Sequence, residues 1–297
     1  MPSTPEQPTA ETVRRVLGAR IPEGAAVRAA DDPPFTWWIG DTHVLRLAQD
    51  RAASVRRARE LRLRDLVRPH VPVAVPTGVA TGEWAPGLAY ALDTRLPGAT
   101  AQDREVTAAG EENLAGLLTA LRSVPVARAA QLGVPKVAPR SLEQLGQQAG
   151  PAAQKLDAKG EFDAERLRQL TAQAVAQLGP QGDPVLVHHG LSGEHLIVTP
   201  DGRVTGALGW GDARIGDPAE DIAGLAAAVG ARAAVRSATL AGYGPRSCLR
   251  GLWLGRCDAV VRLAEGLGGA TASPLGLLRV RLERVWEPIL LELVSDG

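Results

Sequence analysis

Three of the five histidines in this chain, His188, His189 and His195, fall within eight residues of one another, and Glu194 lies in the same stretch. Imidazole is the side chain whose ordinary pKa lies nearest neutrality, so His189, His195 and Glu194 are candidates for general acid–base chemistry. A zinc site is the competing reading and is the weaker one. His188 and His189 are adjacent at the end of a strand, where successive side chains point to opposite faces. No metal ligand set is assigned. The two cysteines, Cys248 and Cys257, are nine residues apart, make neither a metal pattern nor a disulfide framework, and read as reduced thiols of a cytoplasmic protein.

The elements that must hold these groups can be read from periodicity and turn chemistry. Residues 12–19 suit a short helix that Pro22 and Gly24 interrupt. Residues 35–47 read as a hairpin, with Trp37, Trp38 and Ile39 as strand formers, Gly40-Asp41 as the turn, and residues 43–47 as the return strand. One of the two tryptophans is expected to pack and the other to face outward. Residues 51–68 form a basic helix with apolar points at Val55, Leu61, Leu63 and Leu66, its arginines reading as a solvated face. Strands are expected at 71–80 and 86–96, where Leu96-Pro97-Gly98 ends the run. Beyond that the pattern turns helical over 103–122 and 162–178. Short strands follow at 184–188, 196–198 and 204–208, and the chain after Asp217-Pro218 is helical almost to its end. The fold class is therefore α+β: a strand-rich lobe over 1–98 with one main helix, and a mainly helical lobe over 99–297 that carries the histidine stretch.

Composition excludes several functions. Lys plus Arg equals Asp plus Glu at 33 each, so the chain lacks the basic excess of a nucleic-acid binder. Hydrophobic residues at 45% are too many for a disordered chain. No run of about 18 apolar residues exists to span a membrane, and the N-terminal segment lacks the apolar core of a signal peptide.

The stretch from 185 to 225, VLVHHGLSGEHLIVTPDGRVTGALGWGDARIGDPAEDIAGL, resembles the catalytic segment of the aminoglycoside and macrolide phosphotransferases. These are small-molecule kinases with a protein-kinase-like two-lobe fold. The shared framework is Leu186-Val187-His188, Leu191, Leu196-Ile197-Val198, Trp210, and Asp217-Pro218 with Asp221. Upstream, Val44-Leu45-Arg46 is similar to the strand that carries the basic phosphate-binding residue. Glu60 stands where that family's partner glutamate would be, so Arg46 and Glu60 read as a vestigial nucleotide-site pair. The run from Arg68 to Pro76 is similar to the macrolide branch in particular. So is His195, at a position where most relatives carry Asn. The resemblance also implies that His188 hydrogen-bonds the loop backbone and that Asp217 and Asp221 cap and tie the following helix.

Two departures bear directly on activity. Phosphoryl transfer needs a carboxylate to orient the acceptor hydroxyl and metal ions to neutralise phosphate. The family supplies these from a His-Gly-Asp and an Ile-Asp-Trp triplet. Here the triplets are His188-His189-Gly190 and Leu208-Gly209-Trp210, so both aspartate positions are glycine. Losing a general base typically costs about 10²–10⁴ in rate. A third departure is Asp31-Asp32-Pro33-Pro34 in the expected nucleotide loop, where two amide donors are missing and two charges repel phosphate. Asp212, three residues past Gly209, is about 10 Å further along an extended chain, so it could substitute only after a local refold and its plain reading is structural.

The expectation is a phosphotransferase-fold protein that does not phosphorylate. It would bind a small natural product and act on it by acid–base chemistry such as cyclisation, elimination or isomerisation, with no cofactor. The alternatives are a non-catalytic scaffold serving a biosynthetic protein partner, and an atypical antibiotic kinase that uses ATP and Mg²⁺.

Overall fold

A computed structural model describes residues 7–30, 35–271 and 273–289. The Asp31-Asp32-Pro33-Pro34 segment lies outside the described residues. The chain divides into two compact units, one of residues 1–69 and 74–97 and the other of 70–73 and 98–297. The first unit ends at Pro97 and the chain from Gly98 onward lies in the second. Residues 70–73 are the exception and belong with the helical unit.

The first unit opens with helix α1 (Ala10–Leu17), capped by the Thr9 hydroxyl accepting from the Thr12 amide. Strands β1 (Val27–Ala29), β2 (Thr36–Ile39) and β3 (His43–Leu47) follow, then helix α2 (Arg51–Val67), β4 (Gly78–Ala85) and β5 (Leu88–Thr94). The strands form one antiparallel sheet in the order β1-β2-β3-β5-β4. Gly40 takes φ +57° at the β2–β3 turn, a conformation that favours glycine. Alternation then sorts the tryptophans. Trp37 is buried with Val13, Leu17, Ile39, Leu45, Leu47, Tyr90 and Leu92. Trp38 faces the other way, under the Arg95 guanidinium 4.5 Å from its ring centre.

Two expectations fail here. The strand begins at Gly78, not residue 71, although Val71, Val73 and Val75 are buried. Pro72 and Pro76 remove amides a ladder would need, so the segment forms no strand and keeps only a single bridge residue at Ala74. Nor are all the arginines of the basic helix solvated: Arg51, Arg56 and Arg62 are exposed, but Arg64 is buried. The helix's inward stripe is Glu60, Leu63, Arg64 and Val67, while Val55 is 67% exposed. Carboxylates draw the cations in: Arg64 Nη2 donates to Asp93 Oδ1 at 2.8 Å, and both side chains are almost wholly buried.

The second unit contains β6 (Ala99–Thr100), α3 (Ala108–Ser123), α4 (Val126–Gln131), α5 (Leu142–Asp157) and α6 (Ala172–Gln177). Then come β7 (Val185–Val187), β8 (Leu196–Val198), β9 (Val204–Ala207) and β10 (Arg214–Gly216), and four helices, α7 (Ala219–Val229), α8 (Ala231–Leu240), α9 (Pro245–Leu267) and α10 (Leu275–Val285). β6, β8 and β9 form one small antiparallel sheet; β7 and β10 pair as another. α9 lies close against α7 because Gly251 presents no side chain: a Cβ there would stand 2.6 Å from Ile222 Cβ and 3.0 Å from the Ala219 carbonyl. The continuous helix expected over 162–178 is broken. Residues 164–169 form a 3-10 helix, and Thr171 restarts α6 by accepting from the Ala174 amide. The helix expected from 103 starts at Ala108, because Thr107 is tied to the β8–β9 turn through Gly202 and Asp201 carbonyls. No helix among the described residues is long and apolar enough to cross a membrane.

Removing Arg64 leaves a buried carboxylate whose next cation, Arg46, is 3.9 Å away. Arg64→Met should cost about 3 kcal/mol or more of folding stability. The check is a lowered urea midpoint at unchanged slope; a loss under about 0.5 kcal/mol would mean that Asp93 finds other partners.

Candidate functional site

The histidine stretch sits on a loop between β7 and β8, and the backbone of that loop is held by one carboxylate. Asp221, on the first turn of α7, accepts from the His188 amide through Oδ2 and from the His189 amide through Oδ1, both at 2.8 Å. His189 there has φ +59°, the only non-glycine residue with positive φ among those described. That costs a β-carbon-bearing residue about 1 kcal/mol or more, so the loop shape is imposed. Asp221 therefore ties the loop rather than its own helix. Asp217 does the helix capping, accepting from the Ala219 amide while its other oxygen meets Arg250.

His188 is fully buried, with Nε2 donating to the Leu208 carbonyl at 2.8 Å. A carbonyl cannot donate, so the proton lies on Nε2 and Nδ1 carries a lone pair. That Nδ1 has no hydrogen-bond partner among the described residues. Burial first, then His195 nearby, pushes the His188 pKa down to about 3. His189 points out of the loop and is exposed.

Gly190 and Gly209 occupy different surroundings. A Cβ on Gly190 would rest 3.6 Å from both His188 Nδ1 and His195 Nδ1, which is ordinary contact. A Cβ on Gly209 would lie 2.6 Å from His195 Cε1 and Nε2, and Gly209 itself has φ +79°. The His195 ring thus fills the space into which a side chain at 209 would project. Its position is fixed: Nδ1 donates to the Gly190 carbonyl at 2.6 Å, with Ser192 Oγ 3.2 Å away. With that proton on Nδ1, a neutral ring presents its Nε2 lone pair on the Gly209 side.

The other candidates divide. Glu194 Oε2 receives Gln102 Nε2 at 2.6 Å and Arg281 Nη2 at 2.8 Å. Partial burial raises its pKa, but its own backbone amide, Arg281, His195 and Ser192 together hold it below the usual carboxylate range. Such a carboxylate anchors Arg281 better than it moves a proton. Asp212 is exposed and lies 3.9 Å from Arg214; no hydrogen bond joins it to His189, Gly190 or His195 among the described residues. In the first unit, Arg46 Nη1 lies 3.4 Å from Glu60 Oε1, so that pair is formed. Glu60 also faces Arg57 and Arg64, both at 4.0 Å.

Gly190, Ser192, Glu194, His189 and His195 line a cavity of about 390 Å³ inside the helical unit. Its wall includes Ala223, Gly224, Ala227, Gly255 and Ala259, small residues of α7 and α9, and its charged groups include Arg140, Glu220, Asp258, Arg262 and Arg281. Sequence reasoning missed these charged groups. Arg140 meets Glu220 and Asp258 across 80 and 118 residues of chain, and no local spacing announces such a meeting. No group of three or more His, Cys, Asp or Glu side chains that could hold a metal ion occurs among the described residues. The positions that the family resemblance gives to its two carboxylates are Gly190 and Gly209, so neither offers an oxygen ligand to a magnesium–nucleotide complex, and the His195 ring stands where a Cβ at 209 would project.

The loop and its anchor make opposing contributions to stability with pH. Burial raises the Asp221 pKa to about 7 against its two amide donors. The folded chain then holds a proton that the unfolded chain releases near 3.8, so this contribution is complete below that value and is lost as pH rises through about 7. His188 runs the other way: its contribution is present above 6.5 and is lost as pH falls toward 3. The two offset one another at mildly acid pH. In Asp221→Asn only the histidine remains, so stability should climb with pH by up to about 1.4 kcal/mol per unit across that window. Chemical denaturation at stepped pH reads the slope; equal slopes in variant and parent would contradict the assignment.

Comparison with known proteins agrees with this geometry. Residues 29–254 match the profile of the phosphotransferase enzyme family. The chain is 28% identical over 258 residues to a viomycin phosphotransferase of Streptomyces vinaceus, covering 78% of this chain and 88% of that one. Among solved structures it is similar to the GDP complex of aminoglycoside 2'-phosphotransferase-IIIa, with a TM-score of 0.67 at 18% identity over 94% of this chain and 98% of the other. It is also similar to a macrolide 2'-phosphotransferase from Brachybacterium faecium, with a TM-score of 0.61 at 20% identity over 94% and 99%. The fold is thus the kinase-like one of these enzymes, antiparallel in its N-terminal part and helical in its C-terminal part. With more than half of its length matched, the chain belongs to the phosphotransferase enzyme family.

Proposed function

We propose that this member of the family does not transfer phosphate, and that it binds a small natural product in the cavity of its helical unit. The observation that carries the reading is the His195 ring standing where a side chain at 209 would project, beside two glycines at the positions the family resemblance gives to its carboxylates. The relatives named above are named for antibiotics, which motivates a small-molecule ligand of that size. His195 is the residue best placed to act on it. Its Nδ1 proton is held by the Gly190 carbonyl, and Nε2 can take a proton from a bound ligand and return it to another atom. That single-proton shuttle suits an isomerisation, elimination or cyclisation and needs no nucleotide.

A scaffold role has less support. The exposed large hydrophobics among the described residues are Val55, Val79, Leu240 and Val280, each on a different element. The kinase alternative has in its favour the family match itself and the formed Arg46–Glu60 pair. A coupled assay for ADP release, run with viomycin, an aminoglycoside and a macrolide as acceptors, separates the readings. We expect no acceptor-stimulated turnover above the protein-free rate. Acceptor-dependent ADP release by the purified chain, lost on Arg46→Ala, would overturn the proposal.

A further inference from the structure

The charges around the cavity are already spoken for, and unequally. Arg140 donates from Nε and Nη2 to the two oxygens of Glu220 at 2.9 and 2.7 Å, and from Nη1 and Nη2 to the two oxygens of Asp258 at 2.8 and 3.0 Å. Both carboxylates are thereby consumed by one guanidinium in two bidentate pairs, the strongest geometry for such contacts. The third carboxylate of the lining, Glu194, is taken by Arg281 and Gln102. Arg262, the remaining charged group of the lining, has no carboxylate within ion-pair distance among the described residues. Between these groups the wall is apolar and shallow in side chains, with Ala223, Ala227, Ala259 and Leu278.

A pocket for a polyamine must offer carboxylates that are free to meet ammonium groups. This one offers none without first breaking an arginine pair, which leaves a partly buried guanidinium unpaired. We propose that the cavity selects against polycations and takes a hydroxylated ligand with an apolar face that is uncharged or carries one anionic group, read by Arg262. Arg140 is then a specificity residue that acts by neutralising Glu220 and Asp258. The inference deepens the small-molecule reading above and rests on it for the cavity being the ligand site.

The test is gain of binding. Kanamycin, a polycation, is titrated calorimetrically into the purified chain without nucleotide, at a pH above the ordinary histidine range. The parent should give no saturable heat up to millimolar kanamycin. Arg262→Glu, at an exposed position where folding is insensitive to the change, adds an unpaired carboxylate to the lining. Arg140→Gln frees two carboxylates at once. Each should bind kanamycin roughly tenfold or more tighter than the parent, with affinity falling as salt rises. Salt-sensitive kanamycin binding by the parent would overturn the proposal. So would a folded Arg262→Glu chain, judged by circular dichroism, that gains nothing. Because nucleotide is absent throughout, these outcomes leave the phosphate-transfer question untouched, and ADP release would in turn leave the charge selectivity standing.

Discussion

Asp221 is the constraint on which the site depends. One buried carboxylate accepts the amides of two consecutive residues, and that geometry turns the chain sharply after β7. The turn puts His188 inward, where its ring reaches the Leu208 carbonyl, and leaves His189 outward with a positive φ. It also aims the Gly190 carbonyl at His195, which sets the ring, its tautomer and its place over Gly209. One carboxylate thereby ties down the two residues that open the loop, His188 and His189, while His195 sits on the short 3-10 helix Gly193–His195. The close approach of α9 to α7 at Gly251 and Gly255 supports Asp221 from behind, since both glycines lie against the helix that carries it.

Phosphotransfer chemistry relies on carboxylates aimed at metal and hydroxyl. In this chain an imidazole and a backbone carbonyl occupy the corresponding ground. Imidazole exchanges protons near neutrality and is a poor host for magnesium, which prefers oxygen ligands. In the cavity wall two arginines neutralise three acids, Arg140 pairing with Glu220 and Asp258 and Arg281 with Glu194.

Much of this was legible in the sequence where the signals are local. The hairpin over 35–47 follows from its aromatic and β-branched residues and the Gly40 turn. The loop from His188 to His195 stands out by residue type, and the glycines at 190 and 209 are visible against the framework around them. What could not be read depends on distant partners. Arg64 belongs to the core because Asp93 waits on β5, so one arginine of a helix that looks solvated by composition is buried by electrostatics. Residues 71–77 look like a strand by hydrophobicity, but two prolines deny it a ladder. Asp221 is recognisable as structural, yet its service to a loop 33 residues away follows only from tertiary structure. Glu194 reads as an acid–base candidate until Arg281, 87 residues on, is placed against it.

The account turns on whether a magnesium–nucleotide complex can be held by this chain. Calorimetric titration of the purified protein with ATP, with and without Mg²⁺, addresses that directly. The structure predicts no magnesium-dependent binding, because Gly209 carries no carboxylate and His195 fills its space. A stoichiometric, magnesium-dependent heat would contradict it and would require His195 to leave the Gly190 carbonyl so that another group could take the metal.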